Sequence, residues 1–454
     1  MSQGNPTSHR VPDPGVTGLF TQDARWQAWL DVEAALAKAE AELDMIPKTA
    51  AAEIAAKCDL ALFDRNRLTE GFRRTGHTLV PLVWELSRLC GDEAGKYVHW
   101  GATTQNITQT GDLLQLRKAH RIFLRQIARI LIALANLAER SKDMTVPGRT
   151  HGQHAVPATW GLKTAIWIDE FTRHVERLIQ CEPRVFRAML GGAAGTVASF
   201  GDHGLEVQAR MAAHLDMEPM LVPARSTMDH LAEHVMLLAL VAASCGKFAN
   251  EIYTGMKQEF GEVEEPISPG TVGSSTMPQK RNPKLTQDVM AYAAQIRAMV
   301  PLALESVMTE HEANRQTSLM INHAQNQVCT LLGATLERVH MLAERLVLKP
   351  HRMRANLELS RGLIMAEPIM LALGERIGRQ HAHDTVYDAA QAAALDNADF
   401  RKLLASDSRV DEYLSDEEIE TLLDPTRYVG LCRRIAEEQA ERALRVAKTL
   451  AAYK

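Results

Sequence analysis

The run LLQLRKAHRIFLRQIARILIALANLAERSKDM, Leu113 to Met144, decides how this chain folds. Its apolar residues recur at three- and four-residue spacing for about thirty residues without a proline, which is the period of an amphipathic helix. A helix that long needs partners along most of its length, as in a bundle. Other segments repeat the pattern. RWQAWLDVEAALAKAEAELDMIP (25–47) carries Trp26, Trp29, Leu30, Leu36 and Leu43 on one face and is closed by Pro47. STMDHLAEHVMLLALVAASCGKFANEIYTGMKQEF (226–260) opens on a Ser/Thr cap and is apolar nearly all round at its centre, as expected of a helix with neighbours on every side. LTQDVMAYAAQIRAMVPLALESVMTEH (285–311) and QVCTLLGATLERVHMLAERLV (327–347) complete the set. No stretch reads as a strand ladder, so the expectation is an all-α chain around a central long-helix bundle.

The chain of 454 residues is long enough for two or three domains. Its 46% apolar and 24% charged residues are ordinary globular usage. A net charge of −5 without long single-sign runs gives no nucleic-acid footprint and no membrane-surface patch. The longest apolar run, VMLLALVAASCG from Val235, is shorter than a bilayer span. MSQGNPTSHRVPDPG at the start has no signal-peptide core. Cys58, Cys90, Cys181, Cys245, Cys329 and Cys432 are scattered singly, the usage of reduced thiols in a cytoplasmic protein.

Four breaks interrupt the helices, at 99–112, 145–161, 190–204 and 261–283, and such loops are where reactive groups are usually placed. THGQHAVPATWG holds His151 and His154; without an acidic third ligand or an H-E-x-x-H motif it is weak as a metal site. Acid–base work suits His151, while a structural role suits His154. LGGAAGTVASFG has no preceding strand and reads as an inter-helix turn, not a nucleotide loop. GATTQNITQTGD places Thr103, Thr104, Gln105 and Asn106 just before the long helix, where hydroxyls and free amides either cap it or receive a carboxylate. GTVGSSTMPQKRNPK (270–284) combines glycines, a serine pair, Lys280 and Asn282. These are parts for deprotonating a carbon next to a carboxylate and holding the charge that develops.

Together the loops are far more specific than any one of them. GSSTMPQKRNP resembles the signature G-S-S-x-M-P-x-K-x-N-P of the fumarase/aspartase superfamily at every fixed position. VHWGATTQN and GRTHGQHAVPATWG resemble its two substrate-binding regions. WLDVEAALAKAE and LLDPTRYVG resemble the branch holding adenylosuccinate lyase and 3-carboxy-cis,cis-muconate cycloisomerase. The resemblance implies an all-α, three-domain subunit, divided here at 1–111, 112–360 and 361–454, whose central helices assemble a homotetramer. It implies β-elimination from a substituted succinate, yielding fumarate, with active sites shared by three chains. His77 with Thr103, His151 and Ser274 would each come from a different subunit. By that analogy Ser274 is the base, His151 protonates the departing nitrogen, and Lys280 and Asn282 steady the carbanion. The other substrate contacts fall at His77, His99, Thr103, Thr104, Asn106, Thr150 and Gln287. Neither metal nor organic cofactor is implied; the partner is a small dicarboxylate, with no nucleic acid and no membrane.

Single residues separate the branches. His151 and His77 match adenylosuccinate lyases, where similar cycloisomerases carry tryptophan and asparagine, and a leaving amine needs an acid. Other positions depart from the lyases. Gln287 replaces a glutamate that supports the catalytic histidine, Asn106 replaces an aspartate, Thr227 and Met228 alter a further region, and HRVPDPG lacks the tyrosine of a phosphate-binding Arg-Tyr pair. These departures point to a leaving group other than AMP, on an N-substituted aspartate. The alternatives are the cycloisomerase of aromatic degradation and an inactive structural homologue.

Overall fold

A computed structural model describes residues 5–396 and 398–453. The elements that position the site are labelled in chain order: α1 (Gln22–Glu42), α2 (Thr104–Ser141), β1 (Thr145–Thr150), β2 (Gln153–Thr159), α3 (Trp160–Val185), α4 (Asp229–Gly255), β3 (Val263–Glu264), α5 (Lys284–Ala298), α6 (Arg315–Arg345), β4 (Val347–Leu348) and α7 (Cys432–Ala451). Shorter helices connect them.

The decisive helix is longer than its apolar pattern. α2 has 38 residues and begins at Thr104, inside the polar break, with Thr103 as an extended cap. Polar side chains conceal this start because they are satisfied in the core. The Thr110 hydroxyl exchanges two 3.1 Å hydrogen bonds with the backbone of Met189. On its apolar face Phe123, Ile127, Ile130 and Leu134 are fully buried. At a rise of about 1.5 Å per residue, the helix runs on the order of 57 Å.

α2 packs against α3, α6 and α7, and α4 packs against α3, α5 and α6, which makes the bundle. α7 lies close on α2 and α3 through an alanine seam, Ala436, Ala440, Ala443 and Ala447, all buried. The 285–311 run is broken: α5 stops at Ala298, and a short helix, Val300–Glu305, follows with Pro301 in its first turn, where a missing N–H costs nothing.

α4 extends well beyond the apolar run from Val235. Its 27 residues have the length and composition to cross a membrane, but Leu231, Val235, Leu238 and Val241 are buried against the bundle.

The absence of strands is corrected. β1 and β2 form an antiparallel hairpin, pairing Val146 with Ala158 and Thr150 with Gln153. Two prolines hide it, since Pro147 lies opposite Pro157 and neither can donate to the ladder. β3 pairs with β4, two residues each.

One apolar cluster runs from Val16 to Met353 and takes in α7; a second, from Ile369 to Ile419, is separate. All six cysteines are buried and unpaired.

Candidate active site

Three of the breaks present the predicted residues in three separate groups. At the start of α2, the backbone N–H of Thr103 donates to Asn106 Oδ1 at 3.0 Å. Asn106 is fully buried and its amide also donates to the Met189 sulfur, so it holds the helix start in place and has no free face for a ligand. Thr104 Oγ1 lies 3.5 Å from His77 Nε2, and His77 Nδ1 accepts from the backbone amides of Leu79 and Val80. Those two bonds leave Nε2 as the nitrogen facing outward. His99 has a positive φ of 62° and bonds Glu33 Oε1 at 2.6 Å. Burial alone would lower the pKa of this imidazole, but the charge and hydrogen bond of Glu33 raise it above the ordinary value.

The second group is the hairpin tip. Thr150 and His151 are exposed, and His151 and Gly152 are the two turn residues, with φ of 53° and 77°. A two-residue turn with both φ positive matches the twist of the flanking strands and is where glycine belongs at the second place. A histidine at the first is unusual, and such outliers gather at functional sites. Behind the tip, Arg149 forms a double ion pair with Glu262 at 2.6 and 3.2 Å, and Asn356 donates to the same carboxylate at 2.8 Å. His154 is half-buried; burial and the neighbouring Arg149 lower its pKa.

The third group is the loop between β3 and α5. Ser274 Oγ accepts from the backbone amides of Met277 at 3.1 Å and Thr276 at 3.4 Å. Two N–H dipoles aimed at one hydroxyl oxygen favour its deprotonated form. Asn282 Nδ2 donates to the Gly273 carbonyl at 2.7 Å, fixing the residue immediately before the serine. Gly273 is irreplaceable on steric grounds, because a Cβ there would sit 2.0 Å from the Lys280 carbonyl oxygen. Lys280 is exposed at the loop tip, and Gln287 is exposed on α5.

The neck of this loop is held by carboxylates that sequence reading passed over. Buried Glu265 accepts from the amides of Leu285 and Thr286, both at 3.1 Å, so it caps α5. Glu264 pairs with Arg281 at 2.6 Å and Lys349 at 2.8 Å. The only signal was the acidic run GEVEEP ahead of the signature. The partners lie too far along the chain for any local pattern to name them.

Among the described residues no hydrogen bond or ion pair joins the three groups. Within one chain the base candidate, the acid candidate and the His77–Thr104 pair stand apart.

A family profile described as Lyase matches residues 8–298, and one described as Adenylosuccinate lyase C-terminus matches 362–439. The chain belongs to the fumarase/aspartase superfamily. This superfamily member is an enzyme, and its relatives divide by chemistry. It is 38% identical to the N-acetyl-S-(2-succino)cysteine lyase of Enterococcus italicus, over 92% of each chain. It is 39% identical to the 3-carboxy-cis,cis-muconate cycloisomerase of Pseudomonas aeruginosa, again over 92% of each. A solved fumarate lyase from Mesorhizobium sp. BNC1 superposes with a TM-score of 0.89 at 35% identity, covering 94% of this chain and 98% of that one. The relatives are thus named for a succinylated cysteine, for carboxymuconate and for fumarate.

Proposed function

We propose that this chain catalyses β-elimination from a succinate bearing a nitrogen substituent, an N-substituted aspartate, and releases fumarate. The observation that carries the reading is the pair of backbone amides on Ser274 Oγ. A serine hydroxyl is a weak base until its alkoxide is stabilised, and these donors are fixed by the turn that the loop makes. Ser274 removes the proton from the carbon β to the leaving group. Lys280 and Asn282 receive the carboxylate on which the charge spreads. The electron pair of the breaking C–N bond leaves on nitrogen, which takes a proton from His151. The products are fumarate and the free amine.

The separation of the three groups within one chain supports a site completed between copies. Ile132, Ile166 and Leu240 stand 43–48% exposed on α2, α3 and α4, the long helices of the bundle. Large apolar side chains along such helices favour burial by further copies, and a homotetramer sharing its active sites accounts for both features. His77 with Thr103 and Thr104, His99, and His151 with Thr150 would then meet Ser274 across subunits. Asn106 acts there as a positioning residue, and Gln287 orients the imidazole without adding charge. The division at 1–111, 112–360 and 361–454 and a cytoplasmic location belong to the same proposal.

A second reading is favoured by the 38% identity to a protein named for a sulfur substituent: here a thiolate leaves in place of an amine. The two differ in their need for an acid. A thiol ionises near pH ~8.5 and can depart unprotonated, whereas an amine cannot.

The test measures fumarate from adenylosuccinate, argininosuccinate, aspartate, several N-substituted aspartates and N-acetyl-S-(2-succino)cysteine, beside lactonisation of carboxymuconate. Ser274→Ala should lower turnover about a thousandfold with helicity unchanged; unchanged turnover would remove the base. His151→Gln should impair an amine substrate far more than a thiol one. Lactone without fumarate would transfer the proposal to cycloisomerase chemistry. No turnover of any of these compounds would overturn both readings of the leaving group and leave the fold standing.

A further inference from the structure

The segment HRVPDPG, which lacks the tyrosine of a phosphate-binding pair, has a different use in this fold. Residues ahead of it are tied to the bundle. Asn5 Nδ2 donates to the Tyr292 hydroxyl on α5 at 2.6 Å, and Ser8 Oγ accepts from Arg338 on α6 at 3.0 Å. Arg338 is itself a fixed point: 1% exposed, paired with Asp288 at 3.0 Å and stacked over the Tyr292 ring. Pro6, Pro12 and Pro14 restrict the backbone between and beyond these ties. Arg10 follows two residues after Ser8 and is thus presented from a short, anchored arm.

The guanidinium reaches the signature loop at the other end of its span from Lys280. One terminal nitrogen of Arg10 donates to Thr271 Oγ1, and the other donates to the Gly270 carbonyl at 3.3 Å. Thr271 Oγ1 in turn donates to the Ser268 carbonyl at 2.6 Å. Arg10, Thr271, Lys280 and Asn282 line one cavity of about 450 Å³ under the loop. The distal end of the loop is already held by Glu264 on Arg281 and by Glu265 on Leu285 and Thr286. The proximal limb carries no such carboxylate; Lys284 donates to the Val272 carbonyl at 2.8 Å and Asn282 to the Gly273 carbonyl at 2.7 Å, and the two residues before these are held by Arg10.

We propose that Arg10 is a positioning residue that latches the proximal limb of the catalytic loop to the N-terminal arm and so sets how far Ser274 can move between turnovers. A planar fork suits the task because it engages a hydroxyl and a carbonyl on adjacent residues at once, which an ammonium cannot do with the same geometry. The contacts are exposed, so their effect is modest. The proposal rests on the reading of this loop as the carrier of the base, but its first readout does not.

The experiment is limited trypsin digestion of the full chain without substrate, following cleavage after Lys280 and Arg281 by mass spectrometry. In Arg10→Ala these sites should be cut about three- to tenfold faster, while cuts in the helices and the melting temperature stay as in the wild type. Arg10→Lys should fall between the two. Loop cleavage that is unchanged, or that rises together with cleavage elsewhere, overturns the latch. With a substrate in hand, Arg10→Ala should lower kcat/KM by a similar factor. A raised KM with unchanged loop cleavage would instead make Arg10 a substrate contact. If no substrate is turned over, the elimination reading fails while the digestion still decides the latch.

Discussion

Glu40 is a buried carboxylate, 1% exposed on α1, and neither of its oxygens has a partner among the described residues. Burial, and after it the charge of Glu33, pushes its pKa up to about 9. The folded state therefore keeps a proton that the unfolded chain gives up near 4.5. With the folded pKa above the unfolded one, stability is lost as pH rises from 4.5 toward 9. Glu40→Gln keeps the shape and cannot ionise. Its advantage over wild type should be small at the acid end of that window and exceed about 1 kcal/mol at the alkaline end. Urea unfolding at several pH values checks this, and a pH-independent difference between the two proteins would contradict it. In the sequence Glu40 lies four residues after Leu36 and three before Leu43 in WLDVEAALAKAEAEL, so spacing puts it on the apolar face, but nothing local says whether a partner meets it there. His99 and Glu33 show the same limit: 66 positions apart, they become a pair only when α1 packs beside the start of α2.

At the scale of elements, the signature loop depends on how its neck is closed. Glu265 satisfies two of the amides that the start of α5 leaves without helical partners. Glu265→Ala should cost about 1–2 kcal/mol and speed hydrogen exchange at Leu285 and Thr286, whereas Glu265→Gln, which keeps one acceptor, should do less. Protection at those two amides equal to wild type in Glu265→Ala would argue that the loop is closed by other means. The hairpin behind His151 makes a related point. His151 is visible in THGQHAVPATWG, but paired prolines erase the strand signal, so the loop reading keeps the histidine and misses the scaffold that presents it. The extra turns of α2 were missed for the opposite reason, because buried polar residues break an apolar count without breaking a helix.

For the whole molecule, the test of shared sites is complementation. Ser274→Ala and His151→Gln chains, each inactive, should recover activity when unfolded and refolded together. If each site draws these residues from different subunits at random, about a quarter of wild-type activity should return. No recovery, with light scattering confirming mixed oligomers, would place both residues of one site on one chain. The α7 seam sets a matching expectation for stability. Ala440→Leu should overpack the contact with α2 and α3 and cost about 1–3 kcal/mol by urea unfolding.

The sequence by itself determined the helical bundle and the superfamily. Helical periodicity repeats often enough to survive local exceptions, and an eleven-residue signature carries its functional groups in one continuous stretch. Tertiary structure alone decided which carboxylates hold those groups, which imidazole has its pKa raised and where Arg10 reaches. It also decided that the last helix returns to the first cluster after the separate core of 369–419. The physical reason is common to all of these. Periodicity and motifs report contacts within a few residues, whereas burial, partner choice and pKa come from side chains that meet only after the chain has folded.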